Sequence, residues 1–205
     1  MPNDRMASVS LYLLAAIGLI FVLQLIIPSL TDNFIFDPTL AISQPWRFVT
    51  SMFLHANITH IFFNAYALFM FGIILERKVS DRDYLTIYFS AGLLGGLLYY
   101  LTYVIGMIPP IPALGASGAI YGILGAVAVL MPDLRIFFWF IPMRMRDAAI
   151  LWVIIEFLGS LDISSGVASA AHLGGLLFGI AYAWHLKQKI QPQPYAVFKY
   201  DWQQQ

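Results

Sequence analysis

The chain has no cysteine, which excludes a disulfide frame, a thiolate nucleophile and a cysteine-based metal site. Charge is scarce as well. Only 11% of the 205 residues are charged, 11 basic against 11 acidic, so the formal net charge is zero. Ordinary soluble domains carry about 25% charged residues, and without a basic excess nothing suggests nucleic acid as a partner. No HExxH pattern or carboxylate cluster occurs, so no metal and no organic cofactor is suggested. Any catalysis must use serine, histidine or carboxylates. What the chain has in quantity is apolar surface: 60% of it is hydrophobic, with a mean hydropathy of +0.77. Soluble domains sit near 45–50% apolar, about as much as they can use.

A spanning helix needs about 20 mostly apolar residues, and the sequence predicts six, at 10–30, 51–75, 84–106, 116–131, 147–162 and 167–186. The first run, Leu11 to Ile27, is long for a signal segment and has no small-residue cleavage site after it, so it is expected to be retained. Pro38 and Pro45 punctuate the first loop, a charged cluster from Glu76 to Asp83 the second, and Pro109-Pro110-Ile111-Pro112 the third. No internal repeat of the transporter kind is evident. The expected organisation is one all-α membrane domain of six helices over 10–186, between a short cytoplasmic N-terminus at 1–9 and a cytoplasmic tail at 187–205. Positive charge is retained in cytoplasmic loops. With both termini inside, Arg5, Arg77, Lys78, Arg82, Arg135, Arg144, Arg146, Lys187, Lys189 and Lys199 are cytoplasmic and only Arg47 is outside.

Polar side chains inside a bilayer are costly and so mark functional candidates. His60 and Asn64 lie at i and i+4 and share one face of the second predicted helix. Ser117, within Gly115-Ala116-Ser117-Gly118, opens the fourth, and His172 lies early in the sixth. With the orientation above, all four fall in the outer half of the membrane. Ser117 to Met131 is 15 residues, which at about 1.5 Å per residue covers about 22 Å of a core about 30 Å thick. The start of that helix is therefore expected below the outer surface, at the floor of a water-filled cavity reached by a non-helical Pro-rich stretch. Gly118 and Gly122 form one GxxxG and Gly175 and Gly179 another, the second pair three and seven residues past His172. Close approach of these helices would bring His172 to Ser117. Tyr121, one turn below, would lie beneath the imidazole. A serine needs a base to become a nucleophile, and the oxyanion that follows needs donors, which the Ser117 N–H, His60 and Asn64 could supply.

The pattern resembles the rhomboid family of intramembrane proteases. The resemblance rests on Trp46-Arg47, on His60-Ile61-Phe62-Phe63-Asn64, on Gly115-Ala116-Ser117-Gly118 with Tyr121, and on Ala171-His172-Leu173-Gly174-Gly175 with Gly179. It implies Ser117 as nucleophile, His172 as base and His60 with Asn64 as oxyanion stabilisers, in a dyad without an acidic third member. Glu76-Arg77 looks like the family's charged end of the second helix. The implied function is hydrolysis of transmembrane protein substrates near the outer leaflet of the cell membrane, at a site opening to the extracytoplasmic side.

Plainer readings exist for each piece. Small-xxx-small patterns pack any membrane bundle, a lone serine often bonds its own helix, and a lone membrane histidine can bridge helices or relay protons. Jointly they favour catalysis, with a catalytically idle client-binding relative as the alternative. A transporter or channel is disfavoured, because the polar groups stop in the outer half of the span. His55 and His185 are expected at the interface. Glu156 has two open placements, facing the cavity or bonding to the second helix, and a structural role is expected for it. The fifth helix, without a GxxxG, with the loop at Asp162, is the expected gate. Leu176 is expected to lie off the glycine face.

Overall fold

The structure, a computed structural model, describes residues 8–138, 140–161 and 168–189. Most of the two expected terminal segments and the loop at Asp162 lie outside the described residues.

Helix α1 (Ser8–Ile26) starts on a carboxylate supplied from elsewhere. Glu76 accepts from Val9 N at 2.7 Å, Ser10 N at 3.0 Å and Ser10 Oγ at 2.7 Å, which satisfies N–H groups that the first turn leaves open and places negative charge at the positive end of the helix. Ser10 Oγ also reaches Tyr84 Oη at 3.0 Å. Pro28 then opens the short α2 (Pro28–Phe34), where its missing N–H costs nothing. The first loop is organised by Arg47. Its buried guanidinium donates to the carbonyls of Asp32 and Ile35 at 3.0 and 2.7 Å and to Gln44 Oε1 at 2.6 Å.

The second predicted helix begins later than the apolar run implied. After a short α3 (Arg47–Thr50), residues 51–57 continue the loop, beginning with a 3-10 turn at Ser51–Phe53. Asn57 then caps α4 (Ile58–Ala67), its side chain accepting from His60 N at 2.8 Å, a cap that composition alone understates. A π turn at Leu68–Gly72 leads into α5 (Ile73–Glu76). Ser80 caps the long α6 (Asp81–Val104) through Asp83 N. After α7 (Ser117–Leu130) comes a departure from the all-helical expectation: β1 (Arg135–Phe138) pairs antiparallel with β2 (Ile141–Arg144). Helices α8 (Met145–Gly159) and α9 (Ser169–Lys189) follow. Among the described residues, Ser8–Ile26, Ile58–Glu76 and Asp81–Val104 are long and apolar enough to cross a membrane.

The bundle is built around α7, in which ten of 14 residues are buried. Glycine explains how it can be so enclosed. A Cβ added at Gly175 or Gly179 of α9 would run into the carbonyl oxygens of Gly118 and Gly122, and one at Gly95 of α6 would run into the carbonyl of Ala171. Three helices therefore touch through backbone, which is how small residues hold membrane helices together. Leu176, expected off this contact, is fully buried, whereas Leu177 is 48% exposed. The inward face of α9 is broader than the glycine stripe because α6 and α7 flank it together. His55 is buried against His60, ring centroids 5.2 Å apart, just before the start of the second predicted helix, while His185 is exposed.

The Pro-rich stretch before α7 has no helical bonds of its own, so its backbone must be satisfied by neighbours. Phe36 and Ala113 exchange bonds of 2.9 and 3.0 Å, Tyr99 Oη donates to Ile111 O at 3.0 Å, and Gly115 N donates to Ser51 O at 2.9 Å. This stitching fixes the chain up to the first residue of α7.

Candidate active site

That first residue is Ser117. It sits where helix N–H groups lack acceptors, half-buried, at a cavity of about 880 Å³ shared by His60, Asn64, Tyr121 and His172. Ser117 Oγ lies 2.7 Å from His172 Nε2. The two residues are 55 apart in sequence, and the glycine contact between α7 and α9 brings them together. Tyr121, one turn along α7, stacks on the imidazole with centroids 4.5 Å apart and planes 9° from parallel. The histidine ring is therefore fixed in its plane by Tyr121 and in its direction by Ser117.

His60 and Asn64 approach from α4. The His60 ring lies against Gly115, so close that a Cβ there would meet its Cε1 and Nε2 at 2.8 and 2.9 Å and stand 3.6 Å from Ser117 Oγ. Gly115 also holds φ at +129°, in a region that side chains rarely adopt. Two independent requirements thus select glycine at this position. Asn64 is buried, and one N–H of its amide donates to His60 O at 2.9 Å, leaving the second N–H and the amide oxygen uncommitted by that bond. The predicted residues Ser117, His172, His60, Asn64 and Tyr121 thus line one space, with Gly115, Gly118, Gly175 and Gly179 behind them.

For Glu156 the structure corrects one of the two placements offered from the sequence. The residue does not reach the second helix. From α8 it accepts a short hydrogen bond from Tyr121 Oη, and its Oε2 lies 3.2 Å from His172 Nδ1. Trp152, also on α8, packs edge-on against Tyr121 at 6.5 Å, and Ser51 anchors the loop before Ser117. Neither was singled out in the sequence. A lone carboxylate in an apolar helix was the available signal for Glu156, and the direction it faces was not.

A serine hydroxyl beside an imidazole, at a helix start and over a cavity inside an apolar bundle, is an arrangement that a membrane-embedded hydrolase could use. A family model described as the Rhomboid domain matches residues 42–189, and the chain belongs to the rhomboid family. It is 34% identical over 134 residues to rhomboid protease GluP of Bacillus subtilis, covering 65% of this chain and 24% of that one. It is 30% identical over 167 residues to rhomboid-like protease 3 of Toxoplasma gondii, covering 78% and 58%. It is 27% identical over 165 residues to the mitochondrial rhomboid protein 1 of Saccharomyces cerevisiae, covering 71% and 43%. The chain thus spans less than two thirds of the length of these three relatives. Family and apolar helices together make it a membrane protein.

Proposed function

We propose that this chain is an intramembrane serine endopeptidase that hydrolyses transmembrane proteins near the outer leaflet. The observation that carries the reading is the 2.7 Å approach of Ser117 Oγ to His172 Nε2 with Tyr121 stacked beneath the imidazole. The serine hydroxyl attacks the scissile carbonyl as His172 takes its proton, and the imidazolium then protonates the leaving amine. Water repeats the sequence on the acyl-enzyme. The Ser117 N–H, His60 and Asn64 stabilise the oxyanion. The chain crosses the cell membrane six times with both termini cytoplasmic, and the cavity opens outward, so water reaches Ser117 without crossing lipid. A substrate helix has its carbonyls bonded internally, so it must unwind first, which favours substrates with glycine or proline near their outer end. They enter past α8, whose Trp152 and Ile155 line the cavity together with Phe63 and Tyr66 of α4.

The test is cleavage of a model transmembrane substrate in liposomes. Wild type cleaves, Ser117→Ala does not, and a fluorophosphonate labels the first and not the second. Undiminished cleavage by Ser117→Ala overturns the assignment. A wild type that binds the substrate and never cleaves it establishes the client-binding alternative instead.

A further inference from the structure

A carboxylate buried in a bundle must find compensation, because leaving water costs it more than almost any other side chain. Glu156 is 5% exposed, on a helix otherwise apolar after its first turn. Its partners are the Tyr121 hydroxyl, the Ser169 hydroxyl and the ring edge of His172. Two of the three belong to the candidate site.

We infer that Glu156 is a positioning residue for His172, completing a Ser117–His172–Glu156 relay assembled from three helices. The inference rests on the protease reading above and deepens it. Neutral imidazole carries one hydrogen, on one nitrogen or the other. With the Glu156 carboxylate 3.2 Å from Nδ1, its negative charge favours a hydrogen on Nδ1 over a bare lone pair there, even without alignment. Nε2 is then left with its lone pair toward Ser117 Oγ–H, the only tautomer in which His172 can act as a base toward Ser117. The contact is an ion-pair approach rather than an aligned hydrogen bond, since Nδ1 has no acceptor in line. That suits a transition-state role. The approach matters little while the ring is neutral and strengthens once the ring has taken the serine proton, and only interactions that strengthen there accelerate the chemistry. Tyr121 ties the arrangement together, stacking on His172 while its hydroxyl holds Glu156.

The competing reading is that Glu156 merely fastens α8, only four of whose 15 residues are buried. Two substitutions separate the readings. E156Q keeps the length and the acceptor for Tyr121 but loses the charge; E156D keeps the charge but loses a methylene. A fastening role predicts that E156D is the more damaging. A positioning role predicts the reverse. In the liposome assay E156Q should lose about 10²- to 10⁴-fold in kcat with KM unchanged, while E156D retains more activity than E156Q and both unfold near the wild-type temperature. Wild-type kcat in E156Q, or E156D the worse of the two, overturns the inference. Should E156Q not fold, ¹⁵N imidazole spectra of the wild type decide: His172 protonated at Nδ1 supports the relay, and protonation at Nε2 sinks it. Cleavage that survives Ser117→Ala removes the protease reading itself. A dead Ser117→Ala beside a fully active E156Q removes only the role of Glu156.

Discussion

Helices α7 and α9 meet backbone against backbone, whereas α8 leans on them through side chains. In the first contact Gly175 and Gly179 lie on the carbonyls of Gly118 and Gly122, leaving no room for adjustment. In the second, Ile150, Ile154, Phe157 and Leu158 of α8 are each at least half exposed, and α8 meets the site through the side chains of Glu156 and Trp152. The difference teaches how such a site can be both accurate and accessible. On the protease reading proposed above, the pair that must meet within a few tenths of an ångström is set by rigid contacts, and the parts that would admit a substrate are set by adaptable ones.

Removing the rigid pair itself should have the largest effect. His172→Ala should match Ser117→Ala, with proteolysis lost by on the order of 10⁵-fold or more, and the double variant should be no worse than either, because nucleophile and base act as one unit. Additive losses in a cleavage-rate series would separate the two residues and break the comparison at its centre. Next comes the proposed oxyanion donor on α4, which belongs to neither contact. Asn64→Ala should slow turnover by about 10²- to 10³-fold, or about 2.7–4 kcal/mol, with apparent substrate affinity little changed. A loss confined to affinity would make Asn64 a substrate-binding residue.

Gly179→Val tests the rigid contact without altering a catalytic atom. A branched side chain there must push α9 off the Gly122 carbonyl, and misplacement by about 1 Å costs about 10²-fold. Thermal stability should fall with it, since close small-residue contacts hold these helices together. Leu176→Val would not serve as a control, because Leu176 is fully buried. Leu177→Val, at a 48% exposed position on the same helix, should be nearly silent in rate and unfolding temperature. If Gly179→Val and Leu177→Val prove equally mild, the two helices do not rely on the glycine contact.

Much of the site was legible because the relevant patterns were local. His60 and Asn64 share a face by helical spacing alone, and the glycine pairs marked which helices could come close. The late start of α4 was not legible, since an apolar run does not reveal that Asn57 will turn its side chain onto His60 N. The β1–β2 hairpin was missed for a related reason. Arg135–Phe138 and Ile141–Arg144 are short runs that periodicity alone does not assign to strand.

The sequence by itself determined where apolar segments fall, that Ser117 would open a short helix, and that a carboxylate at position 156 would need a reason to be there. Which partner met that need was decided only by the tertiary structure. Helical periodicity fixes a side chain's direction about its own axis, but the rotation of α8 and its choice of neighbours depend on how all the helices pack. Packing turned Glu156 toward Tyr121 and His172 rather than toward α4, because those groups could offset the cost of burying its charge.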